Sequence, residues 1–221
     1  MFLRSYVVYI LPVYILALWV QSRVKSTYTK YAQMKTVFGL TGSEVVRKIL
    51  SNVGITDIDV ELSKGKLSGS FNRRSSKVQL SSEVYHGCSV AAYGIAAHQV
   101  GHVLQYHSNY LPIKIRNGIL PVVKLSTTVA LPLFVAGLIF NSASYFNIGI
   151  IVFVVGMAFH LITLPVELNA SSRAIAVLIG EGYLQPQEIP GVKKVLNAVA
   201  FSYVASVVMS IAQLYYADKF F

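Results

Sequence analysis

Acidic residues are the scarcest resource in this chain. It has 221 residues but only nine Asp and Glu, against nineteen Lys and Arg. Any chemistry that needs carboxylates must therefore draw on very few side chains. Charge of either sign is thin, at 13% of residues, where soluble domains carry about 25%. That shortage argues against an ordinary soluble globular domain. The single cysteine, Cys88, excludes an internal disulfide. The sequence shows no internal repeat and no low-complexity tract. What it has in abundance is hydrophobic residues, 54% of the chain, with a mean hydropathy of +0.57.

The apolar residues fall in blocks. Met1–Val20 carries one charge, Arg4; Leu125–Phe140, Ile148–Val166 and Val195–Ala217 carry none. Each block approaches the roughly 20 residues a helix needs to cross a bilayer, and about four spans is the economical reading. The first block lacks a small-x-small cleavage site near Trp19 and reads as an uncleaved anchor rather than a signal peptide. Most Lys and Arg lie between the first and second blocks, with Arg173, Lys193 and Lys194 between the third and fourth. The hairpin Asn141–Asn147 has none. The positive-inside rule then places the basic segments in the cytoplasm and the hairpin and termini outside. A net charge of +10 distributed this way suits an anionic leaflet, and no nucleic-acid partner is expected.

Residues 21–120 are the one sizeable extramembrane region. Thr41-Gly42-Ser43-Glu44 has capping-box spacing and opens an amphipathic helix through Val45, Val46, Ile49 and Leu50, stopped at Gly54. Asp57–Leu62 alternates as a half-buried strand, with Ile58, Val60 and Leu62 on one face. Lys66–Phe71 and Lys77–Leu80 read as a short hairpin. Ser89–Tyr106 is Ala-rich and apolar around much of its surface, which predicts a buried helix. Leu111–Pro121 reads as a Pro-bounded connection, and Pro165–Gly182 as a new helix with Pro165 in its first turn.

Within the Ala-rich helix, His98-Gln99-Val100-Gly101-His102 differs by one residue from the zinc-peptidase signature H-E-x-x-H. Histidines four apart share a helix face and can share a metal ion. A catalytic zinc takes three protein ligands and a water. Among the nine acids Glu167 stands apart, because it follows an uncharged span inside Leu164-Pro165-Val166-Glu167-Leu168. A carboxylate so placed is costly unless it is paired or bound to a metal.

The segment Ala96–Gln105, with Leu164-Pro165-Val166-Glu167-Leu168-Asn169-Ala170-Ser171, resembles the YugP-type membrane zinc metallopeptidases. Members usually read A-A-H-E-V-G-H and L-P-V-E-F-N-A-S, and the likeness extends across Phe71–Leu80, Tyr85–Arg116 and Val195–Ala205. The family resembles gluzincins, in which a glutamate on a later helix completes the metal site. The resemblance thus implies zinc held by His98, His102 and Glu167, and polypeptide as substrate. Two departures stand out. Gln99 occupies the place of the general base, and Ser68-Gly69-Ser70-Phe71 replaces a stretch where members often carry acidic and histidine residues.

The expected protein is therefore an α-helical integral membrane protein of the cell membrane, multi-pass, with a small α+β metallopeptidase domain on the cytoplasmic face. Its expected parts are an anchor helix at 1–20, a peptidase region at 21–120 with motif helix 89–106, a transmembrane hairpin at 121–166, the Glu167 helix at 165–182, and a last span at 195–217. Gln99 cannot take a proton from a metal-bound water, so this chain is expected to be an inactive Glu-to-Gln form, stopped deliberately to trap metal or substrate. A natural pseudoprotease that binds membrane polypeptides is the alternative, and a metal-free scaffold a third reading. Tyr203 and Arg173 are candidate donors to a developing oxyanion. His86 and His107 read as surface residues or as supports behind the ligands, and His160, inside the third span, as a hydrogen-bonded core residue.

Overall fold

A computed structural model describes residues 2–63 and 69–217. The chain runs α1 (Phe2–Ala32), α2 (Gly42–Asn52), β1 (Asp59–Ser63), β2 (Gly69–Asn72), β3 (Lys77–Ser81), α3 (Ser82–Tyr85), α4 (Val90–His107), α5 (Leu111–Ile139), α6 (Ala143–Gly180) and α7 (Ile189–Ala217). It divides into two units. One comprises residues 1–21, 111–166 and 201–221; the other comprises 22–110 and 167–200.

The first unit is built from the apolar blocks. Among the described residues three helical stretches, Leu111–Gly137, Ala143–Gly180 and Ile189–Ala212, are long and apolar enough to cross a membrane. Only 11% of the most apolar window of α6 is buried within the protein. Hydroxyls in these helices bond their own backbone: Ser126 donates to Val122 O, and Ser206 and Ser210 to Ser202 O and Ser206 O. This satisfies them without a partner from outside the helix. Phe134 packs edge-on against Phe146 at 5.3 Å across the α5–α6 hairpin.

Two prolines behave differently from the sequence expectation. Helix α5 begins at Leu111 and runs through Pro121, and α6 runs unbroken through Pro165. Proline removes one i→i−4 bond and crowds the carbonyl before it. In a long apolar helix every neighbouring backbone group still gains from staying helical, so the interruption is absorbed. The consequence is direct: Glu167 sits two residues past Pro165 on the same helix as the third apolar block.

The second unit holds the fold's sheet. Thr41 forms the capping box: its hydroxyl accepts from Glu44 N–H, and the Glu44 carboxylate accepts from Thr41 N–H at 2.7 Å. Val45, Val46, Ile49 and Leu50 are then buried, as the periodicity demands. The sheet order is β1-β3-β2, with β3 pairing parallel to β1 and antiparallel to β2. The expected strand starts two residues late, at Asp59, and Leu62 is 53% exposed while Ile58 and Val60 pack on the core. The hairpin forms with β2 beginning at Gly69; Lys66 lies outside the described residues. Helix α4 runs through the centre, with Val90–Val103 buried throughout.

Candidate metal centre

Helix α4 is held against α6 at Gly101. A Cβ there would stand 2.3 Å from the Ala170 carbonyl oxygen, so only glycine lets the two backbones approach this closely. The glycine inside the H-x-x-x-H spacing thus has a packing reason. It brings the histidine face of α4 up to the Glu167 face of α6.

The result is a convergence of three buried side chains. His98, His102 and Glu167 are 6%, 8% and 3% exposed. His98 Nε2 lies 3.1 Å and His102 Nε2 3.6 Å from the same carboxylate oxygen, Glu167 Oε2. All three ligand atoms lie within 4.8 Å of one another. Zn–N and Zn–O bonds of about 2.0–2.2 Å in a tetrahedral site place donor atoms roughly 3.3 Å apart. The two separations from Glu167 Oε2 straddle that value, so the residues fit a zinc ion.

The far sides of both rings are anchored as well. His98 Nδ1 is 3.1 Å from Ser171 Oγ, and His102 Nδ1 is 3.0 Å from Gln105 Oε1. Ser171 is one helical turn beyond Glu167, and Gln105 nearly one turn beyond His102, so each helix supplies both a prospective ligand and an anchor. Anchoring at Nδ1 turns each Nε2 toward Glu167.

Gln99 is 6% exposed and lies under the edge strand β2. A Cβ on Gly69 would stand 2.8 Å from Gln99 Cγ and 3.2 Å from its Nε2. The departure noted at Gly69 is therefore also the place where the sheet touches residue 99. The hairpin is clamped to α4 by Arg73 stacked over Tyr106 at 4.1 Å, with Phe71 against the same ring.

None of the other candidates joins the three converging side chains. Arg173 is on α6, with its Nε donating to Asn169 Oδ1 at 2.8 Å. Tyr203 is on α7 in the other unit, and its candidacy rests on the sequence alone. His107 faces Asp57 at 4.0 Å on the surface, His86 is exposed beside Tyr85, and His160 is on α6 near Phe159. Sequence reading missed Gly69, Gln105 and Ser171. The last two could have been found from helical spacing alone, three residues after His102 and four after Glu167.

Two imidazoles four apart on one helix, with a carboxylate from a later helix, are the donor set of a candidate metallopeptidase metal centre. The chain belongs to a corresponding family: residues 6–219 match the family model described as "Putative neutral zinc metallopeptidase". It is 41% identical over 199 residues to "Putative membrane protease YugP" of Bacillus subtilis (strain 168), covering 90% of this chain and 88% of that protein. No solved structure matches it.

Proposed function

We propose that this chain is a membrane-embedded zinc metallopeptidase that hydrolyses peptide bonds of polypeptide substrates, present here as an inactive Glu-to-Gln form because of Gln99. The observation that carries the reading is the convergence of His98 Nε2 and His102 Nε2 on Glu167 Oε2 beside an amide at residue 99. When bound, zinc would polarise a scissile carbonyl and acidify a water. His98, His102 and Glu167 would hold it. Gln99 has nearly the shape of glutamate and can hydrogen-bond a water, but it cannot accept a proton. General-base work is typically worth about 10²–10⁴-fold in rate, so metal binding should survive while turnover falls by that order.

The substrate we favour is an extended polypeptide segment laid beside β2. Edge strands offer unpaired backbone groups to such segments, and β2 is the strand that lies against Gln99. In this reading α1 adds a fourth span, and the basic segments place the second unit on the cytoplasmic side.

Gln99→Glu tests the proposal. The expected result is proteolysis of an unfolded protein in detergent that a chelator abolishes. Gln99 itself also favours a second reading, a natural pseudoprotease that captures polypeptide. A Gln99→Glu chain that binds zinc yet cleaves nothing would favour that reading over the first.

A further inference from the structure

Behind His102 a line of side chains runs away from the metal centre and ends on a cation. Gln105 Oε1 is 3.0 Å from His102 Nδ1, Gln105 Nε2 is 3.0 Å from Asn169 Oδ1, and Arg173 Nε is 2.8 Å from the same Asn169 oxygen. Gln105 is completely buried, so its amide needs partners within the protein. His102 and Gln105 are three apart on α4; Asn169 and Arg173 are four apart on α6. The guanidinium is steadied by the Tyr110 ring, 5.8 Å from Cζ to the ring centre.

Each amide in this line could be turned either way, since its oxygen and nitrogen have nearly the same shape. Arg173 cannot. Guanidinium carries donors only and stays charged at any ordinary pH. Asn169 must therefore present its oxygen to Arg173, and that same oxygen accepts from Gln105 Nε2. Gln105 is then forced to present its oxygen to His102. An oxygen facing Nδ1 requires Nδ1 to carry the proton, which leaves Nε2 with a free lone pair on the side of Glu167. His98 has no such constraint from Ser171, because a hydroxyl can donate or accept.

We infer that Arg173 is a positioning residue that sets the tautomer of His102 through Asn169 and Gln105, making Nε2 the metal-binding nitrogen. This rests on the zinc reading of His98, His102 and Glu167. It gives Arg173 a task different from donation to an oxyanion.

Charge alone predicts the opposite outcome to polarity in the decisive variant. Arg173→Glu replaces a cation near the site with an anion, which by charge alone would tighten zinc. By polarity it turns both amides round, presents Gln105 Nε2 to His102 Nδ1 and weakens zinc. Chelator competition for zinc on the full-length chain in detergent reads the difference. The expected result is a loss of about 10–100-fold in zinc affinity for Arg173→Glu, the usual cost of losing an outer-shell partner. Arg173→Lys keeps a donor-only cation and should stay within about threefold of the parent. Unchanged or tighter zinc in Arg173→Glu, or an equal loss in Arg173→Lys, would overturn the inference.

If Arg173→Glu fails to fold, Arg173→Met carries the test, because it frees the amides to take either sense. An affinity loss of several-fold is expected there, and no loss would overturn the inference. Histidine ¹⁵N NMR of the metal-free chain separates this inference from the zinc reading. His102 Nδ1 should carry a proton in the parent and lose it in Arg173→Glu, while His98 keeps its signature. A parent chain that binds no zinc but shows this change sinks the zinc reading and leaves the polarity intact.

Discussion

Gly101 and Gly69 make the closest demands on residue identity around the metal centre. At Gly101 a methyl group would collide with backbone, the Ala170 carbonyl, which cannot rotate away. Gly101→Ala should therefore part α4 from α6, lower stability by about 1–3 kcal/mol or more, and weaken zinc with it. Thermal unfolding in detergent beside a zinc-affinity measurement checks both. At Gly69 the obstruction is the Gln99 side chain, which can shift, so Gly69→Ala should cost less stability than Gly101→Ala. At this scale much was legible. The four-residue spacing picks out His98 and His102, and the shortage of acids singles out Glu167, from the sequence alone. Gly69 was not legible as a neighbour of residue 99. Their proximity arises from the β2–α4 packing, which no local pattern encodes.

At the scale of elements the capping box on α2 makes a pH-dependent contribution. Glu44 accepts hydrogen bonds from the Thr41 N–H and hydroxyl, which holds its carboxyl below the usual carboxylate range. A depressed folded-state pKa adds stability above the unfolded-state value, and that stability is lost as pH falls through the lower folded value. Glu44→Gln should accordingly flatten the acid side of the stability profile, most visibly from the ordinary carboxylate range downward. Chemical denaturation at a series of pH values checks this. The α2 helix, the hairpin and α4 could be read from period and caps. The parallel pairing of β1 with β3 and the continuity of α6 through Pro165 could not. Parallel pairing depends on a partner from beyond β2, and a proline's effect depends on whether the surrounding helix gains more by continuing than by stopping.

Across the whole molecule, the segregation of charge is what distinguishes the two units. Among the described residues, the last three apolar blocks form helices that bury little of themselves, and the basic residues gather mainly in the segments that join the blocks. Under the proposed topology a cysteine placed at exposed Arg74, in a Cys88→Ser background, should react with an impermeant maleimide only after cells are opened. One at exposed Ser144, in the α5–α6 hairpin, should react on intact cells. The reverse pattern would invert the orientation read from the basic segments. The division between apolar and basic parts is legible in the composition, because it follows from bulk hydropathy rather than from particular contacts.

The most direct measurement is the zinc content of the purified chain. About one zinc per chain, lost on His98→Ala and on Glu167→Ala and retained in the Gln99→Glu form, is the predicted result for a three-ligand site. A chain that carries no zinc, or whose zinc is indifferent to both alanine substitutions, would contradict it.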